Sequence, residues 1–220
     1  MVIRGCFVVF EGGEGCGKST QSEALYKHLL RTNRPVDLLR EPGSTPLGNK
    51  LRGCLKQKNG VNISPIAELF LFAASRAQVI SEIICPSLEQ GHLVICDRYI
   101  YSTIAYQGYG RGLDLHIISQ VNSIAVEGLL PDLVILLDIS PELGLARKYA
   151  ACEADRFEME EVAFHHRVRQ GYLELASGDP NRWLIIDATK SKKEIELEIC
   201  QRVEEVLSQT GDNRAPFTKL

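Results

Sequence analysis

The 220-residue sequence contains no uninterrupted run of eighteen apolar residues, so no membrane-spanning segment is expected. It contains no C-x-x-C pair either. Cys6, Cys16, Cys54, Cys85, Cys96, Cys152 and Cys200 are scattered and odd in number, which excludes a zinc ribbon and fits reduced thiols in a cytoplasmic protein. There is no excess of one charge. The net charge of −3 argues against a general nucleic-acid or membrane-surface binder, so basic residues that matter must be placed locally. Repeats, low-complexity tracts and linkers are also missing, and a chain of this length is expected to form one domain over residues 1–210. The start, Met1-Val2-Ile3-Arg4-Gly5-Cys6, runs into the first apolar stretch and leaves no room for a signal peptide. The polar end, residues 211–220 with Pro216, is expected to fray.

What is present centres on Phe7-Val8-Val9-Phe10-Glu11 followed by Gly12-Gly13-Glu14-Gly15-Cys16-Gly17-Lys18-Ser19-Thr20. This is an apolar strand running into G-x-x-x-x-G-K-S, a phosphate-binding loop. The glycines let backbone N–H groups approach phosphate oxygens without a side chain in the way. Lys18 supplies a point charge for the β- and γ-phosphates, and Ser19 a hydroxyl ligand for Mg²⁺. The helix expected over Lys18–Arg31 points its positive end at the same anion. Cys16, beside that helix start, reads as a small loop filler whose thiol has incidental reactivity.

Five short, continuous apolar runs read as buried strands of a parallel sheet: Phe7–Phe10, Val36–Leu39, Leu93–Cys96, Leu133–Asp138 and Trp183–Ile186. Helical patterns lie between and beyond them, at Lys18–Arg31, Pro46–Gln57, Pro65–Gln90, Tyr101–Gln107, Asp114–Gly128, Pro141–Ala150, Glu158–Ala176 and Lys192–Leu207. The alternation predicts an α/β fold of the P-loop NTPase kind, a five-stranded parallel sheet with helices on both faces. In such a sheet the ligand site gathers at the carboxyl ends of the strands.

The tetrapeptides N-K-x-D and D-x-x-G that a GTPase switch needs do not occur. A small-molecule kinase needs a second pocket and cations to neutralise the moving phosphoryl group, and there are candidates for both. Asp97-Arg98 ends an apolar strand; it is either a strand-end ion pair or a carboxylate for Mg²⁺ beside an arginine that clamps phosphate. Arg147-Lys148 and Asp155-Arg156 bracket residues 149–154, which read as a solvated helical surface or as a lid over about residues 147–157 that closes and excludes water.

At this point the sequence resembles the thymidylate kinases, the ATP-dependent kinases of dTMP. The resemblance rests on Phe10-Glu-Gly-Gly-Glu-Gly-Cys-Gly-Lys-Ser-Thr20, Arg40-Glu-Pro-Gly-Ser-Thr45, Glu68-Leu-Phe-Leu-Phe-Ala-Ala-Ser-Arg-Ala-Gln78, Asp97-Arg-Tyr99, Ser102-Thr-Ile-Ala-Tyr-Gln-Gly108, Pro131-Asp-Leu-Val-Ile-Leu-Leu-Asp138 and Asp155-Arg-Phe-Glu158. It implies ATP and Mg²⁺ as cofactors, dTMP as substrate, dTDP as product in dTTP synthesis, and a homodimer. It implies that Phe72 stacks on thymine, although a phenylalanine on an apolar helix is also a core residue, and that Arg76 donates to the base carbonyl. Ser102 and Thr103 are implied near the base edge, Tyr106 against the sugar, and Gln107 in the same wall. Arg40 and Arg98 are placed at the monophosphate, Glu14 and Glu41 at the sugar hydroxyl or metal waters, and Asp97 with Ser19 at the metal.

There are departures. Ser44 stands where the family commonly has glycine. The loop carries no arginine, which leaves Arg147, Lys148 or Arg156 to supply a catalytic cation, with Arg156 favoured because Asp155-Arg156 matches the family motif. His165 and His166 read as helix surface, and Glu158, Glu160 and Glu161 as a charged helix start, which suffices to explain Glu160 and Glu161. A kinase for another nucleotide or a deoxynucleoside is the same-fold alternative, and an ATP-binding switch the different-class one.

Overall fold

The structure is a computed structural model that describes residues 5–57, 62–150 and 156–210. The expected tail over 211–220, the middle of the expected lid (151–155, with Cys152 and Asp155) and Met1–Arg4 lie outside the described residues.

Strands β1 (Cys6–Glu11), β2 (Val36–Arg40), β3 (Leu93–Asp97), β4 (Leu133–Asp138) and β5 (Trp183–Asp187) form one all-parallel sheet in the order β2-β3-β1-β4-β5. Side chains alternate across a strand, and both faces of β1 are buried. Phe7 and Val9 enter one core cluster, while Cys6, Val8 and Phe10 enter the other. The second cluster is roofed by α1 (Lys18–Arg31), through Leu25 and Leu29, and by α9 (Lys192–Thr210), through Ile195, Ile199 and Val203. The first lies under α3 (Pro65–Val79) and the segments that follow it, and under α6 (Leu115–Val126) and α8 (Val162–Gly178). The remaining elements are α2 (Pro46–Lys56), α4 (Cys85–Glu89), α5 (Ile100–Thr103) and α7 (Pro141–Tyr149).

Most strands run one residue further than their apolar runs. Glu11, Arg40, Asp97 and Asp187 each extend the backbone ladder, so with Asp138 all five strands end on a charge at the carboxyl edge. The apolar pattern stops where the sheet opens to solvent, but the hydrogen bonding does not.

The single helix expected over Pro65–Gln90 is a rod of α3, a π-wound segment Ile80–Ile84, and α4. Pro86 supplies no N–H and its ring crowds the carbonyl four residues earlier, which accounts for the wider turn ahead of it. By length and composition alone Pro65–Glu89 would reach across a membrane, at a mean hydropathy of 1.3. In the fold it carries buried Glu68 and Arg76 and packs on the core. The helix expected over Tyr101–Gln107 begins at Ile100 and widens into a π-wound segment, Ile104–Gly110; such windings occur often at functional sites.

The helix expected from Glu158 starts at Val162. Glu158 and Glu160 precede it for other reasons than helix polarity: Glu158 is buried and pairs with Lys148, and Glu160 pairs with Arg111. His165 is not helix surface but buried against Phe164, its Nε2 without a partner, and burial pushes its pKa down. His166 is exposed and meets Glu142 at 2.7 Å.

Candidate active site

The loop after β1 needs its glycines for close approach. A Cβ on Gly15, whose φ is +65°, would stand 1.8 Å from the carbonyl oxygen of Gly144, and one on Gly144 would stand 2.3 Å from that of Glu14. Gly15 and Gly144 therefore let α7 sit directly on the loop, and nothing in the sequence pattern pointed to Gly144. Gly17, also at positive φ, precedes α1 without any side-chain cap, so the first-turn N–H groups are left for an anion.

Lys18 Nζ donates to the carbonyl oxygens of Gly12 (3.0 Å) and Gly13 (2.7 Å) and lies 3.4 Å from Cys16 Sγ. Cys16 is buried and fills the loop, as expected. Ser19 Oγ donates to Asp97 Oδ2 at 2.6 Å, which joins the loop to the end of β3.

A buried polar network underlies these groups. The carboxylate of Glu11 accepts from the N–H groups of Tyr99 (2.8 Å) and Ser102 (3.1 Å), the Ser102 hydroxyl (2.6 Å) and the Tyr172 hydroxyl (2.9 Å). Burial pushes its pKa up, against these hydrogen bonds and the charge of Arg98. Arg98 holds a left-handed backbone, φ +76°, a conformation that costs energy in a non-glycine residue and collects at functional sites. Its guanidinium donates to Gly12 O, Ser102 Oγ, the Tyr106 and Tyr172 hydroxyls, and Glu14 Oε1 at 2.7 Å. Glu14 also accepts from the Tyr106 hydroxyl at 2.6 Å. Burial opposes its charge, but Arg98, Lys18 and Tyr106 outweigh that and hold its pKa well below the usual carboxylate range.

Glu14, Lys18, Ser19, Asp97, Arg98, Ser102 and Tyr106 border a cleft of about 710 Å³ at the carboxyl edge of the sheet. One end is walled by Phe72, Thr103, Tyr106, Gln107 and Phe157. The ring of Phe157 lies 5.9 Å from that of Phe72 and 6.0 Å from that of Tyr106. Thr103 Oγ1 is buried there without a partner among the described residues. Residues 14–20 of the loop wall it together with Arg40, Glu41, Asp97 and Arg98. Arg147, Lys148, Ala188, Lys190, Lys192 and Ile195 also wall it.

The expected site residues do not all lie on the cleft wall. Gly12 and Gly13 do not wall the cleft; their carbonyls anchor Lys18 and Arg98 from behind. Arg76 is buried, does not border the cleft, and donates to Glu41 Oε2 (2.7 Å), Asn122 Oδ1 (3.0 Å) and the Tyr99 carbonyl (3.2 Å). Ser102 faces the cleft, but its hydroxyl is bound to Glu11, Arg98 and Tyr172 rather than left for a base edge. Arg156 donates to the Leu55 carbonyl (3.0 Å) and to Glu68 Oε2 and does not border the cleft, whereas Arg147 and Lys148 do. Arg147 donates to the Ala188 carbonyl at 2.9 Å. Glu41 reaches the cleft wall with one oxygen on Arg76 and the other without a partner, and burial, only partly offset by Arg76, raises its pKa to about 7. Ser44, in place of a glycine, sits at φ +67°, and its hydroxyl accepts from the Arg40 N–H at 2.9 Å.

Glu11, Tyr172, Phe157 and Glu68 were missed. Glu11 carried a signal, a charge ending an apolar strand. Tyr172, 161 residues away, carried none.

A family model described as thymidylate kinase matches residues 10–199. The chain is 51% identical over 201 residues to a thymidylate kinase of Dehalococcoides mccartyi, covering 91% of this chain and 97% of that protein. It is 45% identical over 202 residues to one of Deinococcus radiodurans, covering 92% and 98%. A crystal structure of thymidylate kinase from Ehrlichia chaffeensis superposes with a TM-score of 0.75 at 33% identity, covering 91% of this chain and 99% of that one.

Proposed function

The chain belongs to the thymidylate kinase family, and we propose that its cleft transfers the γ-phosphoryl group of ATP to the phosphate of dTMP, giving ADP and dTDP for dTTP synthesis. The observation that carries this reading is one cleft lined both by the phosphate-binding loop and by the ring cluster Phe72, Tyr106 and Phe157. A dTMP phosphate oxygen attacks the γ-phosphorus in line, and the bond from that phosphorus to the β,γ-bridging oxygen breaks, leaving ADP. The attacking oxygen is already anionic, so no general base is needed. Catalysis is then positioning and charge compensation.

Lys18 and the open N–H groups of α1 hold the β- and γ-phosphates. Arg98, fixed by its bonds to Glu14, Tyr106 and Ser102, and Arg40 at the rim hold the acceptor phosphate between them. Ser19 and Asp97 offer hard oxygens 2.6 Å apart, which fits Mg²⁺ completed by phosphate oxygens and water. That ion supplies charge to the β- and γ-phosphates when bound. Phe72 stacks on the base, Thr103 lies in the wall beside its edge, and the Tyr106 ring crowds a 2′-hydroxyl. The purine of ATP lies against the wall formed by Arg147 and Ala188, which are joined by a hydrogen bond.

The described cysteines are all free, in keeping with a cytoplasmic protein. Ile66 and Phe70 on α3, and Ile117 and Ile124 on α6, are exposed on two helices that pack side by side, and this apolar face supports a homodimer. Light scattering should give twice the chain mass.

The test of the activity is ADP formation from MgATP with dTMP, dUMP, dCMP, dGMP, AMP and thymidine as acceptors. Strong preference for dTMP supports the reading. Preference for another monophosphate retains the kinase and overturns the pocket, and slow ATP hydrolysis indifferent to acceptor supports a switch instead.

A further inference from the structure

We propose that Glu68 is a positioning residue for the base-binding end of the cleft: it fixes the Gln107 amide so that its carbonyl oxygen is offered to the base, and it holds Arg156 so that Phe157 faces Phe72. This rests on the reading above that the acceptor's base lies beside Phe72.

Glu68 is buried in the first turn of α3, where a carboxylate is favoured, and it lies four residues before Phe72 on the same helix face. Its Oε1 accepts from Gln107 Nε2 (2.7 Å) and Arg111 Nε (3.3 Å). Its Oε2 accepts from Arg156 Nη2 (2.5 Å) and Arg111 Nη2 (3.5 Å). A carboxylate only accepts, so the amide nitrogen of Gln107 must face it and the amide oxygen is the atom left over. Gln107 walls the cleft, so that oxygen is the group it has for a ligand. Thymine carries a hydrogen at N3, which a carbonyl oxygen accepts; cytosine carries a lone pair there, which it repels.

The other oxygen works through Arg156. With its Nε on the Leu55 carbonyl and its Nη2 on Glu68, Arg156 is held at two points, and its guanidinium covers the Phe157 ring at 4.6 Å. Phe157 is thereby kept opposite Phe72 and Tyr106. Arg111, which also pairs with Glu160, completes the compensation of a buried carboxylate by two guanidinium groups. One side chain thus sets both the hydrogen-bond polarity and the aromatic wall of the pocket.

The discriminating probe is 5-methyl-dCMP, which differs from dTMP only in its 4-amino group and the lone pair at N3. Glu68→Gln can donate as well as accept, which releases the Gln107 amide to turn. The expected result is a fall of about tenfold or more in the kcat/KM preference for dTMP over 5-methyl-dCMP, carried by the KM for the nucleotide, with the KM for MgATP within about twofold of wild type. An unchanged preference overturns the proposal, even if Tm drops, because a purely structural role would lower Tm and leave the ratio alone. If Glu68→Gln does not fold, Gln107→Met keeps Glu68 and should lose the same preference; a retained preference again overturns it. Wild-type protein that ignores dTMP strikes the underlying function, whereas wild-type preference for dTMP with an unaltered variant ratio strikes only the role of Glu68.

Discussion

Ser19 and Asp97, 78 residues apart, meet through a 2.6 Å hydrogen bond from hydroxyl to carboxylate at the point where the phosphate-binding loop passes the end of β3. The parallel pairing of β1 with β3, which sets Phe10 against Asp97, brings them together. Two hard oxygens in this position make a seat for a divalent ion beside the bound phosphates. Asp97→Asn should therefore lower kcat by about 100-fold or more and raise the Mg²⁺ concentration needed for half-maximal rate. A Mg²⁺ titration of wild type and variant checks this; coincident curves would remove Asp97 from the metal site.

Among the described residues Lys18 bonds only to loop carbonyls and the Cys16 sulfur, and its charge faces a site built for phosphate. Removing it should damage catalysis far more than folding. Lys18→Ala is expected to lose about 10³-fold or more in kcat, with Tm changed by only a few degrees. Turnover near wild type would refute the phosphate-binding role.

Glu11 is a structural counterpart to Lys18. Its carboxylate satisfies two backbone N–H groups and two hydroxyls in a dry site, and truncating it leaves them without partners. Glu11→Ala should cost about 3–5 kcal/mol in urea unfolding, and Tyr172→Phe about 1 kcal/mol. Equal, small losses from both would show that the network does not centre on Glu11.

Glu41 gives a pH dependence whose sign can be worked out. Its folded pKa of about 7 is above the ordinary 4.5, so the folded state binds more protons than the unfolded state between those values. Its contribution is complete below about pH 4.5 and declines as pH rises through about 7, a loss of about 3 kcal/mol at most. Glu11, also raised by burial, acts in the same direction, and Glu14, held low, keeps its own contribution until much lower pH. Glu41→Gln should flatten the fall in stability between pH 5 and 7 when the two proteins are compared by denaturant unfolding. Parallel curves for the two would rule Glu41 out as the source.

The sheet and the loop were legible because their signals are local. Apolar runs of strand length, a glycine-lysine-serine motif and helical periodicity depend on near neighbours in the sequence, and they placed β1 to β5 and the loop closely. Boundaries slipped where tertiary contacts outlast the pattern: strands continue onto charged residues at the cleft, and α8 starts four residues late because Glu158 and Glu160 are engaged by Lys148 and Arg111.

The local sequence thus determined that a phosphate-binding loop follows the first strand and that Asp97-Arg98 ends the third. Only the tertiary structure decided which cations reach the cleft. Arg76 and Arg156 stand at positions that the family resemblance marks as site residues, yet each is drawn to a buried carboxylate, Glu41 and Glu68, that lies far off in sequence. A guanidinium is directed by the acceptors it meets, and those are set by how the helices pack over the sheet, which is not written at any single position in the chain.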